Sequence, residues 1–255
     1  MDKHSPIGIF DSGLGGLSVV QEILKQLPNE HLLYLGDSQY APYGTKSKAE
    51  IIDRCFKISD YFMQQDVKAI VIACNTATAA SVKLLRETYP IPIVSMEPAL
   101  KPAAYHKRHQ KIIVMATPLT LKEERFKKLL ATYTGDNQVI QMPCPELVQI
   151  VENDALDDQE QVIRQLQAYY KDIDTDQIDT IVLGCTHFVF FRSYLRSLYP
   201  AIQIIDGNEG TARQLKNVLS QNDLLNDMEG SLTIQNTSTD ERYLALSFKL
   251  LQRTL

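Results

Sequence analysis

No part of this 255-residue chain approaches the roughly 20 consecutive apolar residues that cross a bilayer, so no membrane-spanning helix is expected. The chain has no Cys-x-x-Cys and no His-x-x-x-His, which sets aside a zinc site. Its four cysteines do not form the dense pattern of a disulfide scaffold and read as free thiols. Lys and Arg form no stripe, and the net charge is -5, so nucleic acid and anionic membranes are not expected partners. No low-complexity segment or long linker interrupts the sequence. The opening, Met1-Asp-Lys-His-Ser-Pro6, leads directly into a strand pattern without a signal-peptide layout, so a cytoplasmic protein is expected. Length and a hydrophobic share of 44% fit one large or two modest globular domains.

The chain is rich in alternation. Apolar, strand-like runs recur at Ile7–Phe10, Leu32–Leu35, Ala69–Ala73, Ile91–Ser95, Ile112–Ala116, Val139–Met142, Thr180–Gly184 and Ile202–Asp206, with helical patterns between them. This is the pattern of α/β units with parallel sheets. The runs divide into two matching quartets, and Tyr89-Pro90 before the fourth run corresponds to Tyr199-Pro200 before the eighth. The expected fold is α/β, with two similar lobes related by pseudo-twofold symmetry. Each lobe is a mostly parallel sheet flanked by helices, with the site between them. The first lobe is expected to take residues 1–97 and 209–255 and the second residues 98–208. The tail, with helices over 211–219 and 240–251, is expected to pack back on the first lobe.

Two segments repeat one motif. Lys68-Ala-Ile-Val-Ile-Ala-Cys74-Asn75-Thr76-Ala77 and Asp179-Thr-Ile-Val-Leu-Gly-Cys185-Thr186-His187-Phe188 each set one thiol after an apolar run and before a helical pattern. Parallel α/β sheets place ligands at such strand ends. A helix N-terminus is expected to lower a thiol's pKa there. Two thiols on two similar half-chains suggest one pocket with a sulfur on each side, the geometry that moves a proton across a carbon atom. Of the other cysteines, Cys55 lies on an apolar helix face with Ile51, Ile58 and Phe62, and Cys144 lies between Pro143 and Pro145. Both read as packing.

Phe10-Asp11-Ser12-Gly13-Leu14-Gly15-Gly16-Leu17 is a strand end, a Gly-rich turn and a helix start. It superficially resembles a dinucleotide fingerprint, with Asp37 as the ribose partner. However, Ser18 occupies the third Gly position, and Asp11 would set a carboxylate against the pyrophosphate. The bland alternative is a tight turn with Asp11 as a helix cap. The functional one has Asp11 and Ser12 holding a small zwitterion, with Asp11 near its ammonium or near Cys74. Ala41-Pro42-Tyr43-Gly44 suits any loop. Thr120 with Glu123 fits a capping box, while Thr117 corresponds to Ser12 across the repeat and is the stronger candidate for binding. Glu152 alone reads as a solvated helix-end carboxylate. His187 stands beside a candidate catalytic thiol, whereas His4, His31, His106 and His109 read as surface positions.

Taken together, Asp11-Ser-Gly-Leu-Gly-Gly16, Pro42-Tyr-Gly44, Ala73-Cys-Asn-Thr-Ala77, Thr117-x-x-Thr120, Glu152 and Leu183-Gly-Cys-Thr-His187 resemble the glutamate racemases. These are cofactor-independent enzymes of the aspartate/glutamate racemase family that supply D-glutamate for peptidoglycan. The resemblance implies that Cys74 and Cys185 are the two acid/base residues. It implies substrate contacts from Asp11, Ser12, Tyr43, Gly44, Asn75, Thr76, Thr117, Thr120, Thr186 and His187, with Glu152 supporting His187. Phe188-Val189 stands where the family has an aromatic residue and Pro, and Glu123 and Phe126 stand where Ser and Tyr are common. Neither departure removes a proposed catalytic group.

Inverting an α-carbon needs a base on one face and an acid on the other, and thiolate with thiol suits that task at neutral pH. No cofactor and no metal are expected, and no Lys sits at a comparable strand end for a PLP Schiff base. Glutamate is the expected substrate and a homodimer the expected assembly. Two alternatives stay open: another cofactor-independent racemase, such as an aspartate racemase, and a two-lobed amino-acid binding protein without catalysis. The pairing of both thiols disfavours mere binding.

Overall fold

The computed structural model describes residues 2–105 and 109–255, so His106 lies outside the described residues. The first half of the chain runs β1 (Ile7–Asp11), α1 (Leu17–Gln26), β2 (His31–Gly36), α2 (Lys48–Gln64), β3 (Ala69–Ile72), α3 (Asn75–Thr88) and β4 (Ile93–Ser95). After α4 (Leu100–Tyr105) come β5 (Lys111–Ala116), α5 (Pro118–Lys122), α6 (Glu124–Tyr133), β6 (Gln138–Pro143), α7 (Pro145–Glu152), α8 (Gln159–Tyr170), β7 (Thr180–Leu183), α9 (Arg192–Leu198) and β8 (Gln203–Asp206). The tail adds α10 (Asn208–Gln221), β9 (Ser231–Asn236) and α11 (Arg242–Leu251).

The strands form two sheets, ordered β4-β3-β1-β2-β9 and β6-β5-β7-β8, and every strand pairing among the described residues is parallel. With the second order reversed, β8-β7-β5-β6 repeats β4-β3-β1-β2. The repeat seen in the sequence is therefore a repeat of topology. Cys74 and Cys185 follow the equivalent strands β3 and β7 at the carboxyl ends. The contacts between halves repeat too: α1 meets the turn after β7, and α5 and α6 meet α3 after β3.

Parallel sheets must be covered on both faces, and apolar side chains pointing to both faces meet that cover. Ile7 and Ile9 of β1 join a core with Leu17, Val20 and Ile23 of α1 and Leu215 of α10. The same core continues through Phe188 and Phe190 to α7, α8 and α9 behind the second sheet. The opposite face of the first sheet buries Phe10, Ile70 and Ile72 under α2 and α3. That of the second buries Ile112, Val114 and Val182 with Leu100 and Phe126.

Three expectations are corrected. The segment after Cys185 does not begin as an α-helix: Thr186–Phe191 is a 3-10 turn, all six residues buried, and α9 starts only at Arg192. Its β-branched and aromatic run loses rotamer freedom in an α-helix and here packs against α1 and α7. Thr120 and Glu123 form no capping box, because Thr117 is the N-cap of α5 and its hydroxyl accepts the Thr120 N–H at 3.3 Å. Strand β9 was not apparent from Ser231-Leu-Thr-Ile-Gln-Asn236, a half-exposed edge segment with no apolar run.

The tail returns to the first sheet. β9 pairs with β2 along its full length, and α10 and α11 pack on α1. The Gln21 amide of α1 donates to the carbonyls of Leu250, Leu251 and Arg253 at 3.1, 2.7 and 3.0 Å, tying the end of α11 to α1. A buried ion pair ties the chain's beginning to the same place. Lys68 Nζ lies 2.5 Å from Glu30 Oε2, with both side chains at most 1% exposed, and it also donates to the Lys3 carbonyl. Glu30 Oε1 accepts the Asn226 N–H at 2.9 Å. Removing one partner of such a pair leaves the other charge buried and uncompensated. Lys68→Met is therefore expected to lower unfolding free energy by about 3–5 kcal/mol in urea denaturation. A loss under about 1 kcal/mol would show that the site is hydrated.

Candidate active site

The Gly-rich turn after β1 lies against the second half of the chain closely enough that side chains are excluded. A Cβ at Gly13 would stand 2.1 Å from Glu152 Oε1, and one at Gly15 would stand 2.3 Å from His187 Nδ1. The glycines therefore serve close approach between halves rather than a phosphate, which removes the dinucleotide reading. Asp11 does not cap α1, whose N-cap is Gly16. Instead Asp11 Oδ1 accepts the Gly13 N–H at 3.1 Å and Oδ2 accepts the Thr186 hydroxyl at 3.0 Å across the seam. Ser18 Oγ donates to the Gly15 carbonyl at 2.9 Å and lies 3.2 Å from the Thr186 carbonyl.

Cys74 is the N-cap of α3, and its sulfur accepts the Ala77 N–H at 3.4 Å. Burial nevertheless pushes the thiol up, and the Asp11 carboxylate adds to the rise. The Ala77 N–H and the Ser12 hydroxyl pull the other way and do not prevail. The helix N-terminus thus fails to bring this thiol below its ordinary range, because desolvation outweighs it. Charge on Cys185 raises Cys74 further, so the two sulfurs share one electrostatic environment.

Cys185 has a different neighbour. Its sulfur lies 3.7 Å from His187 Nδ1, and His187 Nε2 lies 2.7 Å from Glu152 Oε1. Burial opposes protonation of His187, yet the Cys185 sulfur and the Glu152 carboxylate together carry the imidazole well above its ordinary value. Glu152 is not a solvated helix end: its side chain is 9% exposed and accepts the Leu14 N–H at 2.7 Å. Asp11 is fully buried, and no cationic side chain among the described residues stands within salt-bridge distance of it. Burial raises its pKa, while His187, Gly13 and Thr186 restrain the rise.

The equivalent seam on the other side is built from hydroxyls. Thr76, Thr117 and Thr120 form a closed triangle with oxygen separations of 2.9, 3.1 and 2.9 Å. A Cβ at Gly44 would stand 3.0 Å from the Thr117 Cβ, so the loop carrying Tyr43 also closes on this triangle. Tyr43 is buried and donates to Asp37 Oδ2 at 2.5 Å. Asp37 in turn receives a bidentate Arg54 at 2.8 and 2.9 Å. Asn75 Oδ1 is buried and meets no donor among the described residues.

All the residues implied by the resemblance are thereby gathered around the two strand ends. His4 and His31 are half-buried, with Nδ1 at 2.9 Å from Asn226 Oδ1 and 2.8 Å from Ser231 Oγ respectively. His109 is exposed, and Cys55 and Cys144 are buried in packing. Nothing in the sequence marks Arg54 and Ser38 as neighbours of the site, and Asp37 stands out there only as a ribose partner. The available signal for Asp37 was its place at a strand's carboxyl end. Glu123 pairs with Lys48 at 2.6 Å and Phe126 is buried, so the departures at these positions are accommodated as a surface ion pair and core packing.

Residues 7–215 match the family described as Asp/Glu/Hydantoin racemase. A glutamate racemase of Bifidobacterium adolescentis is 50% identical over 258 residues, covering 99% of this chain and all of that protein. Among solved structures, a glutamate racemase isoform of Bacillus anthracis superposes with a TM-score of 0.89 at 33% identity, covering 99% of this chain and 96% of that one. The Escherichia coli glutamate racemase, crystallised with L-glutamate and the activator UDP-MurNAc-ala, superposes with a TM-score of 0.85 at 29% identity, covering 97% and 94%.

The raised value of Cys74 is measurable in the ligand-free protein. Because burial and Asp11 raise Cys74, its alkylation by iodoacetamide is expected to be slow at neutral pH. The rate should climb without a plateau as pH passes the ordinary thiol value of 9.0. Mass spectrometry of tryptic peptides reads each site separately. A plateau at Cys74 reached by pH 8 would contradict the raised value.

Proposed function

The chain belongs to the Asp/Glu/Hydantoin racemase family, and from that premise we propose that it interconverts L- and D-glutamate by proton transfer between Cys74 and Cys185. It is a racemase, hence an isomerase, and its near full-length relatives act on glutamate by name. The observation that carries the two-thiol mechanism is topological. Equivalent strands β3 and β7 are each followed by a buried cysteine, and charge on one sulfur acts on the other. D-glutamate made this way would supply peptidoglycan synthesis.

One thiol enters each turnover as thiolate and takes the α-proton, and the other, as thiol, returns one to the opposite face. The two states are exchanged at the end. Glu152 Oε1 accepts the Leu14 N–H and so faces His187 as an acceptor, which puts a proton on Nε2 of His187 and leaves Nδ1 facing the Cys185 sulfur. That arrangement holds a proton-bearing imidazole, fixed by a carboxylate, beside the Cys185 sulfur. Cys74 has instead the N–H groups of α3. Asp11, fully buried and without a salt-bridge partner among the described residues, suits the substrate ammonium. Its Coulombic grip on Cys74 would then be relieved by the bound charge. The free N–H groups of α3 with Ser12, Asn75, Thr76 and Thr186 suit the carboxylates and the charge that develops as the proton leaves. No step in this chemistry calls on PLP or a metal.

No helix among the described residues is long and apolar enough to cross a membrane. The enzyme is proposed to act in the cytoplasm as a homodimer, which sedimentation equilibrium would refuse at the mass of one 28.9 kDa chain.

Protein dialysed against EDTA and free of PLP is expected to abolish the optical rotation of L-glutamate. Dependence on added PLP or metal would overturn the mechanism. Cys74→Ser and Cys185→Ser are each expected to lose racemisation. Elimination from 3-chloroglutamate separates the thiols, since one thiolate takes the α-proton and the released electron pair expels chloride from Cβ. With Cys74 serving D-glutamate and Cys185 L-glutamate, Cys74→Ser keeps elimination from the L-isomer and Cys185→Ser from the D-isomer. The reverse pattern would exchange the assignments.

A further inference from the structure

The tail strand reaches the candidate site through its last residue. β9 pairs with β2 so that Asn236 stands opposite Gly36. A Cβ at Gly36 would lie 3.0 Å from Asn236 Nδ2, so the bare glycine leaves the amide room to reach past the strand end. Its orientation is fixed on both sides. Asn236 Oδ1 accepts the Ser238 N–H at 2.8 Å, which turns Nδ2 toward Ser38 Oγ at 2.9 Å. The Ser38 oxygen is thereby an acceptor, and its own hydrogen is left for Glu152 Oε2 at 3.4 Å. The other oxygen of Glu152 takes the Leu14 N–H and faces His187 Nε2, each at 2.7 Å.

We propose that Asn236 and Ser38 are positioning residues for proton transfer at Cys185, acting through Glu152 and His187. The inference rests on the two-thiol reading and extends it to a residue of the tail. The chain Asn236–Ser38–Glu152–His187–Cys185 has a donor and an acceptor at each link. It ends on only one of the two sulfurs. A serine without Asn236 could rotate its hydroxyl away, and a Glu152 without Ser38 loses the contact that fixes its second oxygen. Either change loosens the imidazole beside Cys185. Cys74, held by the N–H of Ala77, has no link in this chain.

Racemisation alone reads this poorly, because the equilibrium constant of unity forces kcat/KM to fall equally in both directions. Elimination from L- and D-3-chloroglutamate is free of that constraint and reports each thiol separately. Ser38→Ala and Asn236→Ala are each expected to lower the ratio of L- to D-isomer elimination about 10-fold, short of the ~10²-fold of a full 1 Å misplacement. The double variant should be no worse than Ser38→Ala, since Asn236 acts only through Ser38. Equal losses for both isomers, an unchanged ratio, or additive losses in the double variant would each overturn the proposal. Should Asn236→Ala fail to fold, Ser38→Ala alone decides through the same ratio. A wild-type protein that eliminates chloride from neither isomer would instead remove the two-thiol reading itself.

Discussion

The centre of the molecule depends on how closely the turn Asp11–Gly16 lies against the chain that follows Cys185. Two positions without Cβ atoms allow Glu152 and His187 to come within hydrogen-bonding reach of that turn. The Leu14 N–H, the Asp11 carboxylate and the Ser18 hydroxyl then cross the seam to Glu152 and Thr186. A methyl group at Gly13 or Gly15 would have to displace a buried charged or hydroxyl group, for which no alternative partner is at hand. The same contact buries Asp11 beside Cys74. Packing between the halves and the electrostatics of the site are therefore one arrangement.

Within a symmetric frame, the two thiols are treated unequally, and the substrate gives a reason. Enantiomers are related by reflection, while the two halves of the chain are related by rotation. A rotation cannot present mirror-image surroundings to the two faces of one carbon. Position 76 is Thr and its counterpart 187 is His; the first closes a triangle of hydroxyls and the second pairs with a carboxylate. The scaffold repeats, and the local chemistry at each sulfur diverges.

The strands and both thiols were legible in the sequence because burial in parallel sheets demands continuous apolar runs, and those runs end where the thiols begin. What was not legible depended on distance along the chain. Glu152 meets Leu14 across 138 residues, and nothing near Glu152 announces that partner. β9 is an edge strand whose pairing is supplied by β2, and its Leu232-Thr-Ile234 alternation is too short to stand out in the sequence. The expectation of a lowered Cys74 pKa failed for a related reason. The helix terminus is a local feature visible in sequence, whereas the desolvation that outweighs it comes from the whole fold.

The return of the tail has a consequence for how the protein is made. All four strands of the second sheet are complete once the chain has passed Asp206, but the first sheet lacks its edge until Ser231–Asn236 has been synthesised. The half of the sequence that leaves the ribosome first is thus the half that is finished last. Until then β2 offers an unpaired strand edge, the feature that invites pairing with other chains. Release of an incomplete nascent chain would leave a complete second sheet attached to a first one whose β2 edge is bare. The order of synthesis and the order of completion run in opposite directions along this polypeptide.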